Sequence, residues 1–289
     1  MEPTPYLTEL SCKHLPCIVR SRLAFVPLPI LTSRQLSEAL KRDVYCVDLR
    51  NHGEAPHIDR LDYPSLAADV ERFCADHKLT HPILVGHSMG AKTVMAVGLR
   101  SPELASMIVS VDNSPVDLSR GTGSVFARYV RQLKIITERV RPMVKDIKEA
   151  DAILAQVEPR KEVRQFVFTN LTRVRKPAVG EFPLQSKIPL KIIGDALDKG
   201  NISGWPFDSS YVRWSGDILF IRGSMSTYVT DDLFPEIGKF FPRFEVKDVA
   251  AGHWLISENP KEFIEVLVEY VERKEEERRD ELEGNRDLF

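Results

Sequence analysis

Apolar positions along this chain follow two rhythms. Short continuous runs rich in Val and Ile occur at VYCVDL (44–49), PILVGH (82–87), MIVSVD (107–112), DILFIRG (217–223) and FEVKDVA (244–250). Runs that are mostly continuous, rather than apolar at every second residue, suit strands covered on both faces. Between them, SLAADVERFCADH (65–77), SMGAKTVMAVGLRS (88–101) and KEFIEVLVEYVERKEEERRDEL (261–282) space their apolar residues by three and four, as amphipathic helices do. This alternation predicts an α/β fold, a mostly parallel sheet flanked by helices through right-handed crossovers. It stops between residues 117 and 205, where only helical patterns appear, such as SVFARYVRQLKIITERV (124–140) and KEVRQFVFTNLTRV (161–174). The simplest account is a core made of 1–116 and 206–289, with a helical cap, 117–205, inserted over the C-terminal edge of the strands. The terminal charge run ERKEEERRDELEG reads as a solvated helix end with i,i+4 pairs.

Bulk properties narrow the classes. The chain has 289 residues, 43% hydrophobic, enough for one large domain with an insertion. A net charge of −2 leaves no electrostatic footprint for nucleic acid. No apolar run approaches the roughly 18 residues needed to span a bilayer, so no membrane span is expected. Four cysteines, Cys12, Cys17, Cys46 and Cys74, are too few and scattered for a disulfide framework, which points to a reducing compartment. Cys12 and Cys17 flank His14 and invite a metal reading. No second pair at zinc-like spacing follows, so an ordinary loop is expected and no metal. No G-x-G-x-x-G or P-loop is present, and no cofactor is expected. Between residues 10 and 37 the charged residues are Lys13, Arg20, Arg22 and Arg34, as in some transit peptides, while Glu2 and Glu9 argue the other way.

The candidate chemistry lies in ILVGHSMGAK, residues 83–92. A buried strand turning sharply into a helix through G-x-S-x-G presents a serine at the apex of the turn. Small flanking residues let strand and helix pass closely, and the serine takes strained dihedrals. Ser88 is therefore the candidate nucleophile, and the Met89 N–H at the helix start a candidate oxyanion donor. A serine hydroxyl needs a base. Of the seven histidines, His87 is expected to point away across the turn, and His52 and His57 lie in an earlier loop. His253, in VAAGHWLISENP, follows the last strand and precedes the last helix, which is where a base reaches the nucleophile. For the acid, the turn after DILFIRG holds Ser226 at the expected place. Asp231 and Asp232 stand further on, where a helix is expected to begin. Asp112 ends the strand after the nucleophile's, at the same sheet edge, and is preferred to them.

The segments DLRNHGEAPHIDRLDYPSLAADV, LVGHSMGAK, VSVDNSPV, FIRGSMSTYV and AGHWL resemble the α/β-hydrolase domain-containing protein 11 subfamily, with its related bacterial esterases and yeast ethanol acetyltransferases. The resemblance runs from residue 36 to residue 272. It implies an α/β-hydrolase fold with a helical cap, and hydrolysis or transfer of short acyl groups. It places the acid in the VDxSP segment, hence at Asp112, with Ser88 and His253 as partners. Fungal and animal members are commonly mitochondrial; without the resemblance, a cytoplasmic location is the reading.

The departure is N-terminal. The family has a strand ending in His-Gly and a loop whose N–H supplies half of the oxyanion hole, whereas the first glycine here is Gly53. LAFVPLP (23–29) is a candidate substitute strand, although Pro27 and Pro29 suit a central strand poorly. The opening β-hairpin is also hard to find in the first twenty residues. Losing one oxyanion donor costs about 100- to 1000-fold in turnover, roughly 3–4 kcal/mol. Two readings follow: a divergent hydrolase, or a start other than the native one within residues 1–35, which is preferred.

The expected activity is that of a monomeric serine hydrolase acting on small ester or thioester substrates. Phe126, Tyr129 and Leu133 of the cap are candidates for shaping the acyl pocket. Transfer to an alcohol uses the same parts. A catalytically weak hydrolase fold serving as a binding partner is the reading from another class.

Overall fold

Strands and helices alternate as the pattern predicts. The computed structural model describes residues 8–12, 18–20, 30–117, 125–138, 143–174 and 182–286. The strands are β1 (Thr8–Cys12), β2 (Ile18–Arg20), β3 (Val44–Asp48), β4 (Ile83–His87), β5 (Met107–Val111), β6 (Leu171–Arg173), β7 (Leu184–Ser186), β8 (Asp217–Gly223) and β9 (Phe244–Val249). The helices are α1 (Ile30–Leu40), α2 (Tyr63–Asp76), α3 (Met89–Arg100), α4 (Val125–Glu138), α5 (Ile147–Leu154), α6 (Lys161–Phe168), α7 (Leu190–Asp198), α8 (Phe234–Phe240), α9 (Leu255–Glu258) and α10 (Pro260–Arg286).

Seven of these strands form one sheet in the order β1-β3-β2-β4-β5-β8-β9, parallel except for β1, which lies antiparallel on β3. Successive residues of the central strands face opposite layers, and both faces are apolar. On one face Leu84 and Ile108 share a core with α2 and α3, and Phe220 packs its ring against Phe241 and Phe244. Val85, Val109, Leu219 and Ile221 pack against Leu36 of α1 and Phe263, Leu267 and Tyr270 of α10. Covering both faces explains why these strands read as continuous apolar runs. Helix α2 starts where Asp62 accepts a hydrogen bond from the Ser65 N–H (2.8 Å), with Pro64 in the first turn.

The N-terminal expectations need correcting. The slot between β3 and β4 is filled by β2, whose Ile18 and Val19 pair in parallel with Val85 and Gly86. LAFVPLP is therefore not the strand in that slot, and residues 21–29 lie outside the described ones. The antiparallel edge strand is β1, a five-residue TELSC with no hydrophobic run to betray it. The metal reading of SCKHLPC rests on Cys12, the last residue of β1, and on His14 and Cys17, which lie outside the described residues.

Between β5 and β8 the chain makes a long excursion through α4, α5, α6, β6, β7 and α7. The helices-only expectation is corrected by β6 and β7, an antiparallel pair of three residues each, too short to carry a readable period. Lys92 ties both crossings of this excursion to α3. Its side chain is buried, and its Nζ donates to the carbonyls of Val116 (2.7 Å), Gly204 (3.0 Å) and Ser203 (3.4 Å). The rings of Tyr63 and Trp205 lie 5.6 and 5.9 Å away. Burial lowers the Lys92 pKa from the ordinary lysine range to about 7.

A base lowered on folding leaves the native state with fewer protons than the unfolded chain between that value and the ordinary one. This group therefore makes stability rise with pH across that window and contributes no slope below it. The expected result is that the stability difference between wild type and Lys92→Met changes with pH above 7, by up to about 1.4 kcal/mol per unit. Urea unfolding of both proteins from pH 7 to 10 checks it. Parallel stability curves would show that Lys92 does not titrate there.

Candidate active site

Four neighbouring strands, β4, β5, β8 and β9, end at the same sheet edge, where parallel α/β sheets collect their functional groups. At the end of β4, Ser88 has φ 55° and ψ −116°, a strained turn for a residue with a Cβ. It is held from β5: the Ser88 N–H donates to the Val111 carbonyl (3.0 Å), and Asn113 Nδ2 donates to the Ser88 carbonyl (3.0 Å). Gly86 has no positive φ. A Cβ there would lie 2.1 Å from the Gly90 carbonyl oxygen, so the missing side chain lets β4 and α3 meet backbone to backbone. Met89 opens α3, within the first turn whose N–H groups have no intrahelical acceptor.

The structure brings Ser88, His253 and Asp112 together. His253 Nδ1 is 2.7 Å from Asp112 Oδ2 and its Nε2 is 3.1 Å from Ser88 Oγ. A carboxylate only accepts, so Nδ1 carries the proton and Nε2 is left as the acceptor for the serine hydroxyl. Asp112 is wholly buried, with φ 51°, just beyond β5. Its Oδ1 accepts from the Gly223 N–H (3.1 Å) and its Oδ2 from the Ser226 hydroxyl (2.5 Å). Ser226 stands where the turn after the eighth strand was expected to hold an acid. There it donates to an acid supplied by the end of the neighbouring strand, β5. The same turn lies close to the base loop, since a Cβ on Gly223 would meet the Gly252 carbonyl oxygen at 2.2 Å.

The other candidates lie elsewhere. Asp231 pairs with Arg222 (2.5 Å) and is 76% exposed, in a 3-10 turn with Asp232. His52 is buried, with Nδ1 donating to the Arg50 carbonyl (2.8 Å), and burial lowers its pKa to about 4. His57 is exposed. Tyr129 and Leu133 are buried within the excursion, where the Tyr129 hydroxyl donates to Glu158 and its ring lies 6.2 Å from that of Phe126. Phe126 reaches the site, 6.4 Å from the His253 ring.

Two neighbours of His253 escaped the sequence reading. Tyr228 stacks on its ring at 4.2 Å. His87, expected to point away, reaches the base loop instead: its Nε2 is 2.8 Å from the His253 carbonyl oxygen and the two rings are 5.0 Å apart. Beyond Trp254, a cavity of about 370 Å³ opens between α6 and α9, lined by Val163, Phe166 and Trp254, with Arg160, Glu162 and Glu258 around them. Among the described residues no cluster of His, Cys, Asp or Glu is arranged to hold a metal, and no helix is long and apolar enough to cross a membrane.

Comparison with known proteins gives consistent likenesses. A family model described as "alpha/beta hydrolase fold" matches residues 29–260. A probable alcohol acetyltransferase of Saccharomyces cerevisiae is 40% identical over 84% of this chain and 72% of its own length. The sn-1-specific diacylglycerol lipase ABHD11 of Xenopus laevis is 32% identical over 83% of this chain and 74% of its own. Among solved structures, a marine microorganism esterase superposes with a TM-score of 0.77 at 26% identity, covering 91% of this chain and 98% of the other.

Proposed function

The chain belongs to the alpha/beta hydrolase fold family, in the group that includes ABHD11 and the yeast alcohol acetyltransferases, and on that premise we propose that it is a serine hydrolase of carboxylic esters or thioesters with short acyl chains. The observation that carries this reading is the unbroken line Ser88 Oγ, His253 Nε2, His253 Nδ1, Asp112 Oδ2, assembled from three different strand ends.

In this reading His253 Nε2 takes the Ser88 proton as Oγ attacks the acyl carbon, and the carbonyl π pair moves to oxygen. The Met89 N–H stabilises that oxyanion at the start of α3. Asp112 holds the Nε2-acceptor tautomer and balances the imidazolium. Collapse of the intermediate passes the His253 proton to the leaving alcohol or thiol and leaves an acyl-Ser88. Water, deprotonated by His253, then releases the acid and restores the serine. Residues 117–205 serve as the cap, with Phe126 turned to the base.

Acyl transfer is the second reading, favoured by the 40% identity to a probable alcohol acetyltransferase. An alcohol then replaces water at the acyl-enzyme, and Ser88, His253 and Asp112 keep their roles.

A fluorophosphonate probe tests the reading. About one equivalent should label the folded protein, and peptide mapping should place the label on Ser88. A folded protein that stays unlabelled, or is labelled at another serine, overturns it. Adding ethanol to a turnover assay then separates the two fates of the acyl group: ethyl ester accumulates only if alcohol is the acceptor.

A further inference from the structure

We propose that His87 is a positioning residue that straps the base loop to the nucleophile turn by donating its Nε2–H to the main-chain carbonyl of His253. The inference rests on the serine hydrolase reading for its kinetic consequence, though not for its structural one.

The bond has one possible direction. A carbonyl oxygen only accepts, so Nε2 of His87 carries the hydrogen across the 2.8 Å separation. The two histidines are 166 residues apart in sequence, yet His87 is covalently adjacent to Ser88. The last residue of β4 therefore fixes the base loop, and the next residue is the nucleophile. His253 is thereby held at two points, its side chain by Asp112 and its main chain by His87. The residues just before the base are tied by other bonds, Ala250 N–H to Glu262 (2.9 Å), Gly252 N–H to Glu258 (2.5 Å) and Met225 N–H to the Ala251 carbonyl (3.0 Å), whereas the His87 bond acts on the main chain of the base residue itself.

His87 must do this without charge. Its ring lies 5.0 Å from the His253 ring, and a cation there would oppose the imidazolium that forms when His253 takes the serine proton. The charged or titratable groups that act on it are His253 and Asp112; Trp254 adds an uncharged ring at 6.4 Å. Burial, with the neighbouring His253 ring second, lowers the His87 pKa to about 4, so the ring is neutral at ordinary working pH. A neutral donor of the same reach, the amide of glutamine, should therefore substitute for it.

The experiment compares His87→Phe, which keeps a ring and loses the donor, with His87→Gln, which keeps the donor. Misplacement of a reacting group by about 1 Å costs up to about 100-fold. His87→Phe should lose about 10- to 100-fold in kcat with KM changed less than about threefold, and His87→Gln should recover to within about threefold of wild type. Since glutamine cannot titrate, the acidic limb of its kcat/KM profile should match wild type. If His87→Phe does not fold, His87→Asn takes its place, its shorter amide falling short of the carbonyl, with the same expected loss.

Amide hydrogen exchange over residues 250–254 reads the strap without turnover and should be faster in His87→Phe or His87→Asn than in wild type and His87→Gln. Full kcat with unchanged exchange in the donorless variant overturns the inference. So does a His87→Gln as slow as His87→Phe while both melt like wild type. A wild type that takes no fluorophosphonate label defeats the hydrolase reading instead, and the exchange measurement still decides the strap.

Discussion

Asp112→Asn should lower kcat by about ten-thousand-fold while leaving KM within a few-fold of wild type. The substitution is nearly isosteric, so the amide oxygen still accepts from the Gly223 N–H and the side chain still fills a wholly buried site. What changes is the atom facing His253 Nδ1 at 2.7 Å. An amide NH2 there donates, which forces the imidazole into the tautomer with its hydrogen on Nε2, the nitrogen that must take the serine proton. The serine then faces a donor, and its 3.1 Å contact no longer serves proton transfer. Asp231→Asn and Asp232→Asn are the controls, and both should turn over like wild type, because Asp231 is exposed and paired to Arg222 and the acid facing His253 Nδ1 is Asp112. Steady-state kinetics on a chromogenic short-chain ester decides the matter. If Asp112→Asn keeps its turnover and either control loses it, the acid is misassigned.

Strands β4, β5 and β8 were readable because both faces are buried, which makes their apolar runs continuous, and β9, a half-exposed edge strand, was readable from its alternating FEVKDV; each begins and ends within a residue or two of its run. Strands β1 and β2 were not readable. Five and three residues give a pattern no length to express itself, and β2 is a strand because β3 and β4 pair with it from either side. That pairing is a long-range fact, absent from local spacing. The site divides the same way. Ser88 and His253 sit in local turn chemistry that a string of residues displays, and Asp112 needed the further step of asking which strands are neighbours. His87 and Ser226 act through side-chain reach across elements far apart in sequence, at 166 and 114 residues from their partners. Ser226 did leave a trace, since a hydroxyl occupied the place of an expected acid. His87 left none, because the residue before a nucleophile can face either way and only the position of the base loop decides.

Gly86→Ala should destabilise the protein by about 3 kcal/mol or more, the upper range for forcing a group into packed space. The added methyl would lie 2.1 Å from the Gly90 carbonyl oxygen and 2.7 Å from the Ala91 nitrogen. Those are backbone atoms in the first turn of α3, and no side chain can swing aside to relieve the contact. Either α3 must lift from the sheet or β4 must bend. Both movements carry Ser88 and His87, which join the two elements, so turnover should fall by about a further 100-fold in whatever fraction stays folded. Gly238→Ala gives the contrast. In α8 its nearest neighbour would be a Phe244 ring atom at 3.5 Å, an ordinary contact, and alanine should be neutral or stabilising by about 0.5–1 kcal/mol. Thermal or urea unfolding of the two variants isolates the geometry, since the same methyl group is added to each. A Gly86→Ala protein that melts with wild type would mean that β4 and α3 have room between them. The turn would then owe its glycine to something other than close approach, and the tight coupling of Ser88 to the base loop through His87 would lose its mechanical basis.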